Sequence, residues 1–444
     1  MIKILSIIVG KLALFVLKKL NRGSAFPGTI TYKINKHILR DLEKPSKVIT
    51  VTGSSGKGST TKIIAKVLRN SGYKVAYNDK GSNQIDAIIT TLLENSTITG
   101  KTKVDMAVLE IDERYVKYVF KDLVPDYVVI TNITRDQPPR QRHFDFIFDE
   151  INNALPDKTN LILNSDDPYL QNFALKNKYN ITYYGLDKLH FSYTKNKFPV
   201  LNISRCPICQ NKLSYKFYHI EQQGHYSCLS CDFKRPDAQF EMTKFNENNN
   251  TMFVNKKYQI TVQNDMLFNL YNSLAAFSIL ALLDLDQKKI AKIISSMNTD
   301  EKIFDRYKQN NRDIFVLNNK NENAATFNQS VLYASLSNKP KTIVIGWREI
   351  SRRYEFDDLS WLYDIEFELL NNENTKEIIV AGPQRYDIAT RLKYAKVPKD
   401  KVKIFYDLNM ARDTINNAKG DIYAIVNFDY IMPFNKIMEV KNEN

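Results

Sequence analysis

The sequence predicts an α/β protein: a parallel, doubly wound sheet, broken by a small cysteine-bearing insertion and followed by a smaller α/β domain. Three observations predict it. A β-branched run, Val48 to Thr52, breaks into the turn Gly53-Ser54-Ser55-Gly56-Lys57-Gly58-Ser59-Thr60, and a helical pattern then reaches Asn70. Further apolar runs ending at Glu110, Asn132 and Asn164 close on polar or acidic residues, as strands of an open parallel sheet do at the edge where ligands bind. Four cysteines form two C-x2-C pairs, Cys206 with Cys209 and Cys228 with Cys231.

The chain of 444 residues exceeds one ordinary core. Its patterning divides it into a lead-in, 1–46, a central domain, 47–300, with an insertion at about 203–237, and a C-terminal domain, 301–444. With 43% hydrophobic and 25% charged residues it reads as globular. The net charge, 63 − 49 = +14, suits an anionic partner: nucleotide, nucleic acid or an acidic membrane surface. A Lys- and Asn-rich composition accounts for the same number without any partner. Cysteines confined to one short stretch exclude a secreted disulfide scaffold and point to a reducing, cytoplasmic compartment.

Taken in order, the first stretch, Met1 to Leu20, is apolar but interrupted by Lys3, Lys11, Lys18 and Lys19. Those charges leave no uncharged run long enough to span a bilayer. A basic amphipathic helix remains, packed on its own domain or lying at a membrane surface. The glycine turn then makes a phosphate cradle of helix N–H groups. Gly53 and Gly56 shape it, Lys57 supplies a point charge, and Ser59 or Thr60 offers an oxygen to Mg2+. Asn83 lies in a polar loop of the same edge, and Glu110, Asp112 and Glu113 end a buried strand, where acids commonly hold Mg2+.

The paired cysteine knuckles have the spacing of a structural zinc ribbon, with no thiol left over. Nearby aromatic and basic residues, among them His225 and Arg235, read as decoration of a small domain. A helix beginning near Asn269 places Asn269 and Asn272 on one face, where their amides can read an adenine edge. From Phe304-Asp305-Arg306 onward, four apolar runs at Ile314–Leu317, Thr342–Ile345, Glu377–Val380 and Ile422–Val426 alternate with helical segments.

The turn, Glu110, Thr131 to Gln137, Leu163 to Pro168 and Asn269 to Ala276 resemble the Mur ligase superfamily. The cysteine ribbon, Asp358 to Glu368 and Arg391 to Ala395 resemble one branch of it, the MurT-type synthetase subunits of lipid II isoglutaminyl synthase. The likeness covers essentially the whole chain. Gly58 stands where that branch commonly has threonine, and Asp305 where glycine is usual.

The resemblance implies ATP-dependent amidation of the α-carboxyl of D-isoglutamate in the lipid II stem peptide. Lys57, Mg2+ and Arg306 would balance charge at the ATP site, and Zn2+ would be structural. The only cysteines are the ribbon four, so ammonia would come from a GatD-like glutamine amidotransferase. An acid of the C-terminal domain, Asp358 or else Asp364, would complete that partner's catalytic set. Two rivals stand beside this reading. An amino-acid-adding ligase is favoured by the Gly-Lys-Gly-Ser turn and opposed by the ribbon, and a nucleic-acid-binding ATPase is favoured by the charge. The resemblance implies no nucleic acid.

Overall fold

The strand that leads into the phosphate turn lies inside a nine-stranded sheet. The computed structural model describes residues 2–20, 25–79, 82–134, 143–199, 205–297, 304–318, 323–346 and 359–438. In chain order the first strands are β1 (Lys47–Thr52), β2 (Val75–Tyr77), β3 (Met106–Glu110), β4 (Tyr127–Ile130), β5 (Asn160–Asn164) and β6 (Asn180–Leu186). After these come β7 (Leu213–Ile220), β8 (Gln223–Cys228), β9 (Phe240–Asn246), β10 (Thr251–Val254) and β11 (Tyr258–Thr261).

The sheet order is β11-β10-β9-β6-β5-β4-β1-β3-β2, parallel from β2 through to β9, with β10 and β11 added antiparallel. Apolar clusters cover both faces, which is why the parallel strands read as continuous apolar runs. β7 and β8 form a separate antiparallel hairpin inserted between β6 and β9.

Register positions the site. Val51 pairs with Glu110 and Thr52 with Ile130, so the ends of β1, β3 and β4 emerge together at one edge. The helix after the turn spans Lys57–Asn70, starting before the expected Thr60. Gly56 at φ 81° lets the chain enter the helix directly from the turn.

A second sheet comprises β12 (Phe304–Gln309), β13 (Arg312–Leu317), β14 (Lys341–Gly346), β15 (Thr375–Ala381), β16 (Val402–Phe405) and β17 (Asp421–Val426). Its order is β12-β13-β17-β14-β15-β16, parallel except for the β12–β13 hairpin. The four expected strands are its middle. The edge strands β12 and β16 were not legible, because their faces are half-exposed and polar.

The N-terminal helix, Ile2–Lys19, packs against the helices Phe26–Ile34 and Ile85–Glu94. Among the described residues no helix is long and apolar enough to cross a membrane.

Candidate active site

Gly53 and Gly56 are required by space as well as by φ. A Cβ at Gly53 would meet Thr131 Oγ1 at 2.4 Å, and one at Gly56 would meet Asn272 Oδ1 at 2.4 Å. The turn is thus clamped between β4's exit and the helix Leu267–Leu282. Asn132 fixes it further: its Oδ1 accepts from Ser55 N at 3.0 Å and its Nδ2 donates to Ser55 O at 3.0 Å. Lys57 is the first residue of the turn's helix, and its Nζ reaches Glu113 Oε2 at 3.0 Å, Ser54 O at 3.3 Å and Gly53 O. Burial alone would lower its pKa, but the Glu113, Glu110 and Asp112 carboxylates outweigh burial and hold the ammonium charged.

The three acids at the end of β3 have separate tasks. Glu113 takes Lys57. Asp112 is held bidentately by Arg114, Nε to Oδ1 at 2.8 Å and Nη2 to Oδ2 at 2.6 Å. Glu110 accepts from Asn83 Nδ2 at 3.0 Å through Oε1, while Oε2 would lie 3.2 Å from a Cβ placed on Gly58. Asn78 locks the edge by donating to Glu110 O and accepting from Glu110 N, both at 2.9 Å. The structure therefore brings Gly53, Gly56, Lys57, Asn83, Glu110 and Asn272 together around one turn. Thr60 is sealed from solvent, whereas Ser59 keeps partial access.

Other expected site residues stand further off. Asn269 Nδ2 donates to Asn264 O at 3.1 Å, one turn of helix from Asn272. Arg306, on β12, contacts Asp313 at 3.4 Å and lies over the Phe315 ring. Its charge also bears on the Tyr333 hydroxyl, as does that of Asp265 in the segment entering the Asn269 helix. Asp364 ends the short 3-10 turn Ser360–Asp364. Asp358 and the stretch Arg135 to Gln137 lie outside the described residues.

Cys206 and Cys231 Sγ are 3.5 Å apart, Cys209 and Cys228 Sγ 3.4 Å, and all four lie within 4.8 Å of one another. That is the spacing of four thiolates around one tetrahedral ion. Sequence reasoning missed how this hairpin is seated. Asp166, fully buried, receives Arg235 Nε at 2.6 Å, Leu186 N at 2.8 Å and Tyr271 OH at 2.9 Å. His225 Nε2 contacts Leu186 O at 2.9 Å, and burial pushes the neighbouring His219 down to about 4, leaving it neutral. His225 and Arg235 are therefore anchors of the insertion, not its decoration.

At the β7–β8 turn, Glu221 Oε1 accepts from Asn328 Nδ2 at 2.9 Å, and the same amide nitrogen reaches Asp364 O at 3.1 Å. Asn328 Oδ1 in turn accepts from Glu366 N at 2.9 Å. The hairpin thus joins the first sheet to the second. Burial raises both Glu221 and the nearby Asp167 to about 7.

Comparison with known proteins agrees with this geometry. The family model for the Mur ligase middle domain matches residues 51–205, and that for the MurT ligase C-terminal region matches 321–430. The MurT subunit of glutamine-hydrolysing lipid II isoglutaminyl synthase from Staphylococcus aureus (strain COL) is 30% identical over 418 residues, covering 93% of this chain and 92% of that protein. Its counterpart from Streptococcus pneumoniae (strain ATCC BAA-255 / R6) is 30% identical over 446 residues, covering 98% and 96%. Among solved structures, a pseudomurein peptide ligase type C from Methanothermus fervidus aligns with a TM-score of 0.67 at 20% identity, covering 91% of this chain and 80% of that one. The MurF ligase of Thermotoga maritima, solved in complex with ADP, aligns with a TM-score of 0.56 at 16% identity, covering 93% and 83%. With a phosphate turn, a four-cysteine insertion and a second α/β sheet in one continuous match, the chain belongs to the MurT family of the Mur ligase superfamily.

Proposed function

We propose that the chain is the synthetase subunit of a glutamine-hydrolysing lipid II isoglutaminyl synthase. It amidates the α-carboxyl of D-isoglutamate in the lipid II stem peptide to D-isoglutamine, as a step of peptidoglycan biosynthesis. The observation that carries this is the Lys57 ammonium, held charged inside a glycine turn beside Glu110, in a chain matching MurT subunits almost end to end.

ATP binds with its phosphates at the turn. Lys57 exchanges its contacts with Glu113 and the Gly53 and Ser54 carbonyls for phosphate oxygens, and so balances charge as the γ-phosphoryl moves to the substrate carboxylate. Glu110 and the hydroxyl of Ser59 or Thr60 are hard oxygen donors that suit Mg2+, which supplies further charge neutralisation. Asn83 orients Glu110, Asn272 braces the turn, and Asn269 and Arg306 complete the nucleotide's surroundings when the two sheets approach. Ammonia then attacks the acyl phosphate and phosphate leaves.

The ammonia comes from a GatD-like partner docked on the domain 301–444, with Asp358, or else Asp364, orienting the partner's histidine. Zn2+ on Cys206, Cys209, Cys228 and Cys231 is structural, because four thiolates leave no open coordination position. The chain works in the cytoplasm at the inner membrane face, where lipid II is made.

The test supplies the chain with a GatD-type glutaminase, ATP, Mg2+ and lipid II, and follows the product by mass spectrometry. Conversion of one carboxyl to an amide, with ADP formed in step, is expected; addition of an amino acid instead would overturn the reading. Asp358→Asn should abolish glutamine-driven synthesis and spare synthesis from ammonium salt, with Asp364→Asn run alongside. Elemental analysis should find one zinc per chain.

A further inference from the structure

The N-terminal helix is inverted relative to an ordinary surface helix. Its cations point toward the protein: Lys11 Nζ donates to Leu93 O at 2.6 Å and Ser96 O at 2.7 Å, and Lys18 pairs with Glu94. These contacts complete the carboxyl end of the helix Ile85–Glu94, where lysines belong. Lys3 lies against Gly100. The same side carries the buried Ser6, Ile7, Gly10 and Leu14, and a Cβ on Gly10 would meet Thr31 Oγ1 at 2.1 Å, so the helix is seated tightly.

At 100° per residue, Lys3, Lys11 and Lys18 fall with that inner sector, and Leu5, Ile8, Leu12 and Val16 fall opposite it. The opposite sector is exposed: Leu5 by 53%, Leu12 by 60%, Phe15 by 59% and Val16 by 54%. Phe26, at the start of the next helix, is also exposed. A continuous apolar stripe of this length on a folded surface marks an interaction site.

The helix lysine that turns outward with the stripe is Lys19. Lys19 sits with its ammonium 4.6 Å from the Phe15 ring centre, and Lys18 and Lys103 both bear on Lys11. Glu94, beside the helix end, is paired with Lys18. Apolar side chains with the Lys19 ammonium standing among them match an anionic bilayer, whose headgroups meet lysine while its acyl boundary takes leucine and phenylalanine.

We propose that the outward face of the helix Ile2–Lys19 docks the protein flat on an anionic phospholipid bilayer. The inference rests on the reading of a lipid-linked substrate, and it names the surface that brings the synthetase to it. The helix lies in the interface and does not span it. Docking makes the search for the substrate two-dimensional and sets the height at which its headgroup meets the sheet edge.

The experiment is sedimentation of the full chain with vesicles of phosphatidylglycerol and of phosphatidylcholine, both free of lipid II. The wild type is expected to partition onto phosphatidylglycerol more than onto phosphatidylcholine, and less at high salt. The triple variant Leu5→Gln/Leu12→Gln/Val16→Gln replaces outward residues with good helix formers, so its melting temperature should be unchanged. It should bind at least about tenfold more weakly. Equal partitioning of variant and wild type would overturn the proposal. So would a wild-type dimer, or a complex with the glutaminase, that the triple variant breaks, since the stripe would then be a protein interface. Because these vesicles carry no substrate, vesicle binding with no amidation would sink the functional reading alone.

Discussion

At the phosphate turn the acids, two buried and one half-buried, are met by cations and amides: Glu113 by Lys57, Asp112 by Arg114, Glu110 by Asn83. Where the cysteine hairpin meets the two sheets, Asp166 has Arg235, but Glu221 is met by the amide of Asn328 and Asp167 by the backbone N–H of Tyr169. The same burial therefore has opposite results. Beside the turn it is outweighed, and Lys57 stays charged. At the seam it dominates, and two carboxyls rise to about 7. Charge pairing keeps the first region ready for an anion, while the second holds domains together with protons that neutral pH can remove.

The sharpest way to break this contrast is to give the seam an unpaired charge. Arg235→Met leaves the fully buried Asp166 without its guanidinium, and unfolding in urea should show a loss of about 3–5 kcal/mol. Removing the cation at the other region should cost chemistry first and stability second. For Lys57→Ala the rate of ATP-dependent amidation should fall by about 10²–10³, and the melting temperature should drop as well, because the buried Glu113 carboxylate loses its ammonium partner.

A smaller effect follows from pH. The native carboxyls of Glu221 and Asp167 bind protons more tightly than unfolded ones, so the native state holds more protons between about pH 4 and about pH 7. Stability from this pair is full below that window and is lost as pH rises through it. Glu221→Gln should flatten the slope by on the order of 1–2 kcal/mol between urea midpoints at pH 5 and pH 8.

The smallest change expected is at Gly58. An alanine Cβ 3.2 Å from Glu110 Oε2 asks the flexible carboxylate to move slightly, while a helix gains from losing glycine. Gly58→Ala should alter stability by no more than about 1 kcal/mol, and a rise in the KM for ATP would show that Glu110 serves the nucleotide.

The turn, four strands of each sheet and the four-cysteine cluster were legible in the sequence because each is a local pattern: spacing, an apolar run, a repeated C-x2-C. The clamp of Asn272 on Gly56 and the pairing of Lys57 with Glu113 were not, since they depend on contacts between residues far apart in the chain. Asn328 was invisible for the same reason; an asparagine in a helix gives no sign that it will hold a hairpin more than a hundred positions away. The three acids ending β3 were visible as a group, but only the fold assigns each its partner. β9 to β11 escaped notice because short, half-polar strands lack a strong period.

The hairpin's place between β6 and β9 also bears on how the chain assembles. β6 and β9 pair in parallel, so the polypeptide must travel from Leu186 back to Phe240 before Tyr184 can meet Phe240. In most parallel sheets a crossover helix makes that journey and pre-shortens it. Here the cysteine hairpin is the crossover, and an ion drawing Cys206 to Cys231 would shorten the free loop before the strands join. An ion bound there would favour the recruitment of β9, β10 and β11 to the sheet edge. The helix that carries Asn272 follows those strands and packs against β9, so the clamp on Gly56 would wait for the same step.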